Sequence, residues 1–163
     1  KYYYKLSAQQ GNTNAFINLG NLYFNNNNGN NKKYLKAKEI FVLAAKQKNS
    51  VALLNLGVMY ENGFGVQKDY LIAKHYYELA AKKGNSDGFY NIGFLYENGL
   101  NVEKSVIKAL NYYDLAAMNH NTNALFRLGY LNSTGDLFEI NLNKVCQRWL
   151  ISSTRDCLKG CGW

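Results

Sequence analysis

Glycine follows Leu or Ile at Gly20, Gly57, Gly93 and Gly129, in NLG, NLG, NIG and RLG, at spacings of 37, 36 and 36 residues. About twenty-four residues after each comes a pair of small residues: Ala44-Ala45, Ala80-Ala81, Ala116-Ala117 and the altered Ser152-Ser153. An earlier pair, Ser7-Ala8, places the start of the chain inside a preceding unit. Self-similarity at a fixed period of this size points to a solenoid, whose units bury a continuous core by stacking. A single catalytic pocket is not what such a chain leads one to expect.

Each period reads as two helices. Thr13, Ser50, Ser86 and Thr122 share one phase and are expected to cap the first helix, whose inward residues in the second unit are Ala52, Leu56 and Tyr60. Asn62-Gly63, Asn98-Gly99 and Thr134-Gly135 are expected to end it through a left-handed glycine. The second helix is expected after Asp69, Ser105 or Asn141 and runs to Gly84 or its equivalent. Tyr4, Phe41, Tyr77, Tyr113 and Trp149 share a phase, as do Leu6, Leu43, Leu79, Leu115 and Ile151, and both rows are read as core. The glycines inside the first helices each cost about 1 kcal/mol against alanine, which implies close approach of another backbone, with the Ala-Ala pairs opposite. NNNNGNN at Asn25–Asn31 is read as a tolerated low-complexity loop.

The pattern A-x-x-x-L-G-x-x-Y-x-x-G, then G-V-x-x-D-Y-x-x-A, then Y-Y-x-L-A-A-x-x-G-N, is similar to the Sel1-like repeat, a relative of the tetratricopeptide repeat. ALLNLGVMYENGFGVQKDYLIAKHYYELAAKKGNS carries it nearly throughout. The resemblance implies an all-α, right-handed α-solenoid of antiparallel helix pairs. On this reading residues 1–12 are the second helix of a truncated repeat, residues 13–49, 50–85, 86–121 and 122–153 are four repeats, the last degenerate, and 154–163 are a tail. The family also implies a non-enzymatic scaffold or adaptor. Further repeats or a kinase domain are expected elsewhere in the full-length chain.

Composition agrees with a helical protein. Proline is absent, and no 18-residue apolar run suggests a membrane span. Cys146, Cys157 and Cys161 form no disulfide framework, which favours a reducing compartment such as the cytoplasm. His75 and His120 lack a second ligand at metal spacing and are read as surface residues, so neither a metal nor a cofactor is expected. Cys-rich bacterial relatives suggest a β-lactamase-like hydrolase as an alternative, but the repeats here lack their paired cysteines.

A binding surface is more legible. If the Leu-Gly marker fixes the phase, the preceding residues Asn18, Asn55, Asn91 and Arg127 point to the concave side that first helices line in tetratricopeptide-type superhelices. Each asparagine amide can donate to and accept from the backbone of an extended peptide, and the Arg127 fork suits a carboxylate. Beside them run Ile17, Leu54, Tyr90 and Phe126 in one row, and Asn21, Val58, Phe94 and Tyr130 in another. The same rows can equally serve contacts between repeats. The expected partner is therefore an extended protein segment. An alternative partner, nucleic acid or an acidic surface, follows from the basic N-terminal third, where residues 1–48 hold eight Lys and one Glu, including the cluster Lys32, Lys33, Lys36 and Lys38. A lysine-rich solvated face accounts for that cluster more simply.

Overall fold

A computed structural model describes residues 12–25 and 30–133 of the chain. Among the described residues seven α-helices follow one another with no strand: α1 (Thr13–Asn25), α2 (Asn31–Lys46), α3 (Ser50–Asn62), α4 (Tyr70–Lys82), α5 (Ser86–Asn98), α6 (Val106–Met118) and α7 (Thr122–Ser133). Each packs chiefly on the helix before it and the helix after it. The architecture is an all-α solenoid of helix pairs, α1–α2, α3–α4, α5–α6 and then α7.

Local chemistry sets the ends of each helix. Asp69 accepts from the Leu71 and Ile72 amides to open α4, and Ser105 accepts from Lys108 to open α6, as expected for capping residues. Gly63 and Gly99 close α3 and α5 in the left-handed conformation, at φ 74° and 67°. The first-helix caps differ from expectation by one residue. Asn12, Asn49, Asn85 and Asn121 accept the amides of the first turn, whereas Thr13, Ser50, Ser86 and Thr122 are the first helical residues. The asparagine side chain reaches amides two and three residues on, so the Asn-Ser and Asn-Thr pairs are capped by their first member.

The core lies in the seams between units. Ile17 joins Ala37, Phe41, Ala44, Ala52, Leu56 and Met59 in the first seam. Ala73, Tyr77 and Ala81 meet Ile92 and Leu95 in the second. Ala109, Leu110, Tyr113 and Ala116 meet Ala124, Leu128 and Leu131 in the third. Phe41, Tyr77 and Tyr113 are 0% exposed, so the aromatic row is core as expected.

Two expectations about packing are corrected. The leucine row is not core: Leu43 and Leu115 are exposed and Leu79 is only half-buried. A residue two positions after a buried tyrosine lies about 200° round the helix from it, and so points away from the seam. The helix glycines meet the expected backbone at Gly57 and Gly93, where the Ala73 and Ala109 carbonyls lie 3.2 and 3.1 Å from an added Cβ. A ring stands closer, however, and the Ala-Ala pair is not what opposes them, while Gly129 has no neighbour within 4 Å among the described residues. A Cβ on Gly20, Gly57 or Gly93 would collide with the ring of Phe41, Tyr77 or Tyr113, the closest approach at Gly93 being 2.7 Å. The Ala-Ala pair instead opposes Gly88, where a Cβ would lie 2.8 Å from the Ala81 nitrogen. Tyr4, Leu6, Ser7-Ala8, Thr134-Gly135, Asn141, Trp149, Ile151, Ser152-Ser153 and the three cysteines lie outside the described residues.

A candidate interaction face

The repeated tetrapeptide YENG shows how α3 and α5 are held and what they leave exposed. Tyr60 stacks on Tyr76 and Tyr96 on Tyr112, with ring centroids 5.7 and 5.6 Å apart. Glu61 accepts the hydroxyl of Tyr77, and Glu97 that of Tyr113 at 2.6 Å. Asn62 and Asn98 donate back to the carbonyls of Val58 and Phe94, both at 2.9 Å. The glycine then turns the chain. The otherwise buried tyrosines thus have an acceptor for their hydroxyls, which burial without a partner would make costly. Burial, with the neighbouring carboxylate adding to it, pushes both phenols well above their usual range. Glu61 and Glu97 escaped the sequence reading, although their recurrence sixteen residues before the tyrosine row was visible.

Lysines extend these ring pairs across the seams. Lys38 lies over Tyr60 at 5.7 Å, and Lys74 over Tyr96 at 5.2 Å. In both cases a cation from one unit rests on an aromatic of the next. The hydrogen bond with Tyr96 raises the Lys74 pKa against the opposing effect of burial.

The candidate interaction face is the row of first-helix residues that begins at Asn18 and continues in phase along the later units, bordering the seams. Asn18 is exposed, and Asn55, Asn91 and Arg127 are half-buried along it. Val58 is half-buried beside Asn55, while Phe94 and Tyr130 are exposed beside Asn91 and Arg127. These two rows therefore run together across α1, α3, α5 and α7. Apolar and amide groups alternate on this face, which suits an extended chain with both backbone and side chains to satisfy.

The third row goes elsewhere. Ile17 is buried, and Leu54 and Tyr90 pack against the second and third seams, the Tyr90 ring 5.4 Å from that of Tyr113. Phe126, in the same phase on α7, is 76% exposed. It borders an open apolar cavity of about 430 Å³ with Leu125, Gly129, Tyr130 and Ser133.

Two members of the amide row are already engaged between units. Asn55 donates to the Asn21 side chain at 3.1 Å, joining α3 to α1. Arg127 grips Glu97 through both Nε, at 3.0 Å, and Nη2, joining α7 to α5 and placing its guanidinium 5.0 Å over Tyr130. Burial alone would raise the Glu97 carboxyl, but the hydrogen bonds from Arg127 and Tyr113 outweigh it and hold it below its usual range. The carboxylate expected for Arg127 is present within the chain itself.

Among the described residues no group of His, Cys, Asp and Glu side chains could hold a metal ion. His75 and His120 are exposed. No described helix is long and apolar enough to cross a membrane.

Known proteins fit this architecture. The model of the Sel1 repeat matches residues 1–12, 50–85, 89–121 and 122–154. The solved structure of a Sel1 repeat protein from Oxalobacter formigenes superposes with a TM-score of 0.77 and 28% identity, over 93% of this chain and 61% of that one. A protective antigen of uropathogenic Escherichia coli displaying an SLR fold superposes at 0.71 and 24% identity, over 96% of this chain and 34% of its own, and speaks to the fold alone. The HRD3 component of an ERAD-associated E3 ubiquitin-protein ligase from Candida glabrata is 41% identical over 65 residues, 40% of this chain and 7% of that protein. HRD3B of Arabidopsis thaliana, described in the same words, is 33% identical over 60 residues, 37% of this chain and 10% of its own. The chain thus spans a tenth or less of the length of these curated relatives.

Proposed function

Because the chain belongs to the Sel1 repeat family, we propose that it is a non-enzymatic scaffold for protein–protein interaction that holds an extended segment of a partner along its first helices. The observation that carries this reading is the shared phase, on successive first helices, of the exposed or half-buried Asn18, Asn55 and Asn91 beside Val58, Phe94 and Tyr130. Amide side chains in register can pair with a partner's backbone, while the neighbouring apolar residues take its side chains. The Asn55–Asn21 bond and the Arg127–Glu97 pair hold this face in place and orient the groups next to it. Similarity to components of a ubiquitin-ligase assembly supports the adaptor role, in which the chain brings other proteins together.

The test is a pull-down comparing the wild-type chain with Asn18→Ala/Asn55→Ala/Asn91→Ala and with Phe94→Ser/Tyr130→Ser, circular dichroism confirming that all remain helical. The reading expects the same partner proteins to be lost from both variants. Retention of every partner by both would reject it and leave the asparagines an architectural role.

A further inference from the structure

Away from that face, the edge where the second helices begin carries another regular array. Leu35, Leu71 and Ile107 recur every 36 residues and are 43%, 62% and 65% exposed. Three residues before each stands an exposed lysine, Lys32, Lys68 or Lys104. Lys36 and Lys108 follow two of the aliphatic residues and lie over Tyr23 and Tyr96 at 5.8 and 5.5 Å. Lys68 rests over Tyr70 at 4.7 Å. The acidic residues nearby are Asp69, whose carboxylate caps α4, Glu78, which lies beside Leu71 and pairs with Lys74 at 3.7 Å, and the exposed Glu39 and Glu103. Lys32, Lys36, Lys68, Lys104 and Lys108 still outnumber these acids along the edge.

We propose that this edge docks on an anionic phospholipid surface, the three aliphatic side chains entering the interface while the lysines meet the headgroups. The charge complements such a surface, and lysine stems can lie along apolar material with their ammonium groups at the headgroup level. The aliphatic residues are open to solvent, which an apolar interface would relieve. They also sit on separate helices, α2, α4 and α6. A fluid interface imposes no register on side chains placed in this way. Nucleic acid would use the lysines and leave the aliphatic row unexplained.

Sedimentation of the purified chain with phosphatidylcholine vesicles, with and without phosphatidylserine at one part in three, tests the proposal. Binding is expected only with phosphatidylserine, and should weaken about tenfold or more in Lys68→Glu/Lys104→Glu. Leu71→Asn/Ile107→Asn should weaken it as well, while circular dichroism of both exposed-site variants stays that of the wild type. Failure to bind the anionic vesicles would overturn the proposal. Indifference to the aliphatic pair would also overturn it, leaving a merely cationic surface. Binding to polyglutamate but not to vesicles, sensitive to both pairs, would assign the edge to an acidic protein segment instead.

Discussion

Arg127 on α7 closes its guanidinium on the Glu97 carboxylate that already receives the Tyr113 hydroxyl. One acid thereby joins the two helices of one unit to the first helix of the next. Removing Arg127 leaves Glu97 largely buried with the Tyr113 hydroxyl as its direct partner and only the more distant charge of Lys104 to favour it. Arg127→Met should therefore destabilise the chain by about 1–2 kcal/mol, less than a fully buried pair because the arginine is partly exposed. Urea denaturation at neutral pH measures this.

The same pair has a pH signature. The Glu97 pKa in the folded chain lies below its ordinary value of 4.5, so the unfolded chain binds more protons in that range. The stabilisation is complete above the ordinary value and disappears as pH falls through the folded one. Wild type and Arg127→Met should differ in denaturation midpoint at neutral pH and converge on acidification. A difference that stays constant through the acid range would show that Glu97 is not its source.

Gly57 lies under the Tyr77 ring, with the Ala73 carbonyl 3.2 Å from where a Cβ would sit. Gly57→Ala should cost about 1–3 kcal/mol through overpacking, despite the higher helix propensity of alanine. Thermal unfolding of this variant against wild type checks the sign as well as the size.

The caps offer a comparison between adjacent residues. Asn85 accepts from the Asp87 and Gly88 amides, whereas Ser86 is already helical. Asn85→Ala should cost about 1 kcal/mol and Ser86→Ala much less. Equal losses would return the capping role to the serine.

Lys48, Gly84 and His120 share one phase after the second helices, all at positive φ: 61°, 80° and 61°. Glycine takes this conformation without strain, and lysine does not. Lys48→Gly should stabilise by about 0.5–1 kcal/mol, offset in part by the greater freedom of glycine when unfolded. Calorimetric melting of Lys48→Gly beside Gly84→Ala should show shifts in opposite directions.

Much of this architecture was readable in the chain because a period fixes spacing. Asp69, Ser105, Gly63 and Gly99 announced their helix ends, and Phe41, Tyr77 and Tyr113 their buried row. Spacing does not fix direction, however. Leu43, Leu79 and Leu115 recur as faithfully as the tyrosines, yet sit two residues on and turn outward. The caps were misplaced because asparagine and serine are both good caps and stand side by side. On the candidate face, periodicity placed Asn55, Asn91 and Arg127 in one line but did not reveal that Glu97 would fill the arginine fork. That contact depends on two side chains thirty residues apart, and on a glutamate whose own phase had gone unread.

Each described helix rests chiefly on its predecessor and its successor, so none of the described helices is a keystone. Damage to one seam is felt at its neighbours and fades beyond them. Such a chain can lengthen or shorten by whole units over evolutionary time, keeping every surviving joint intact while the reach of its outer faces changes.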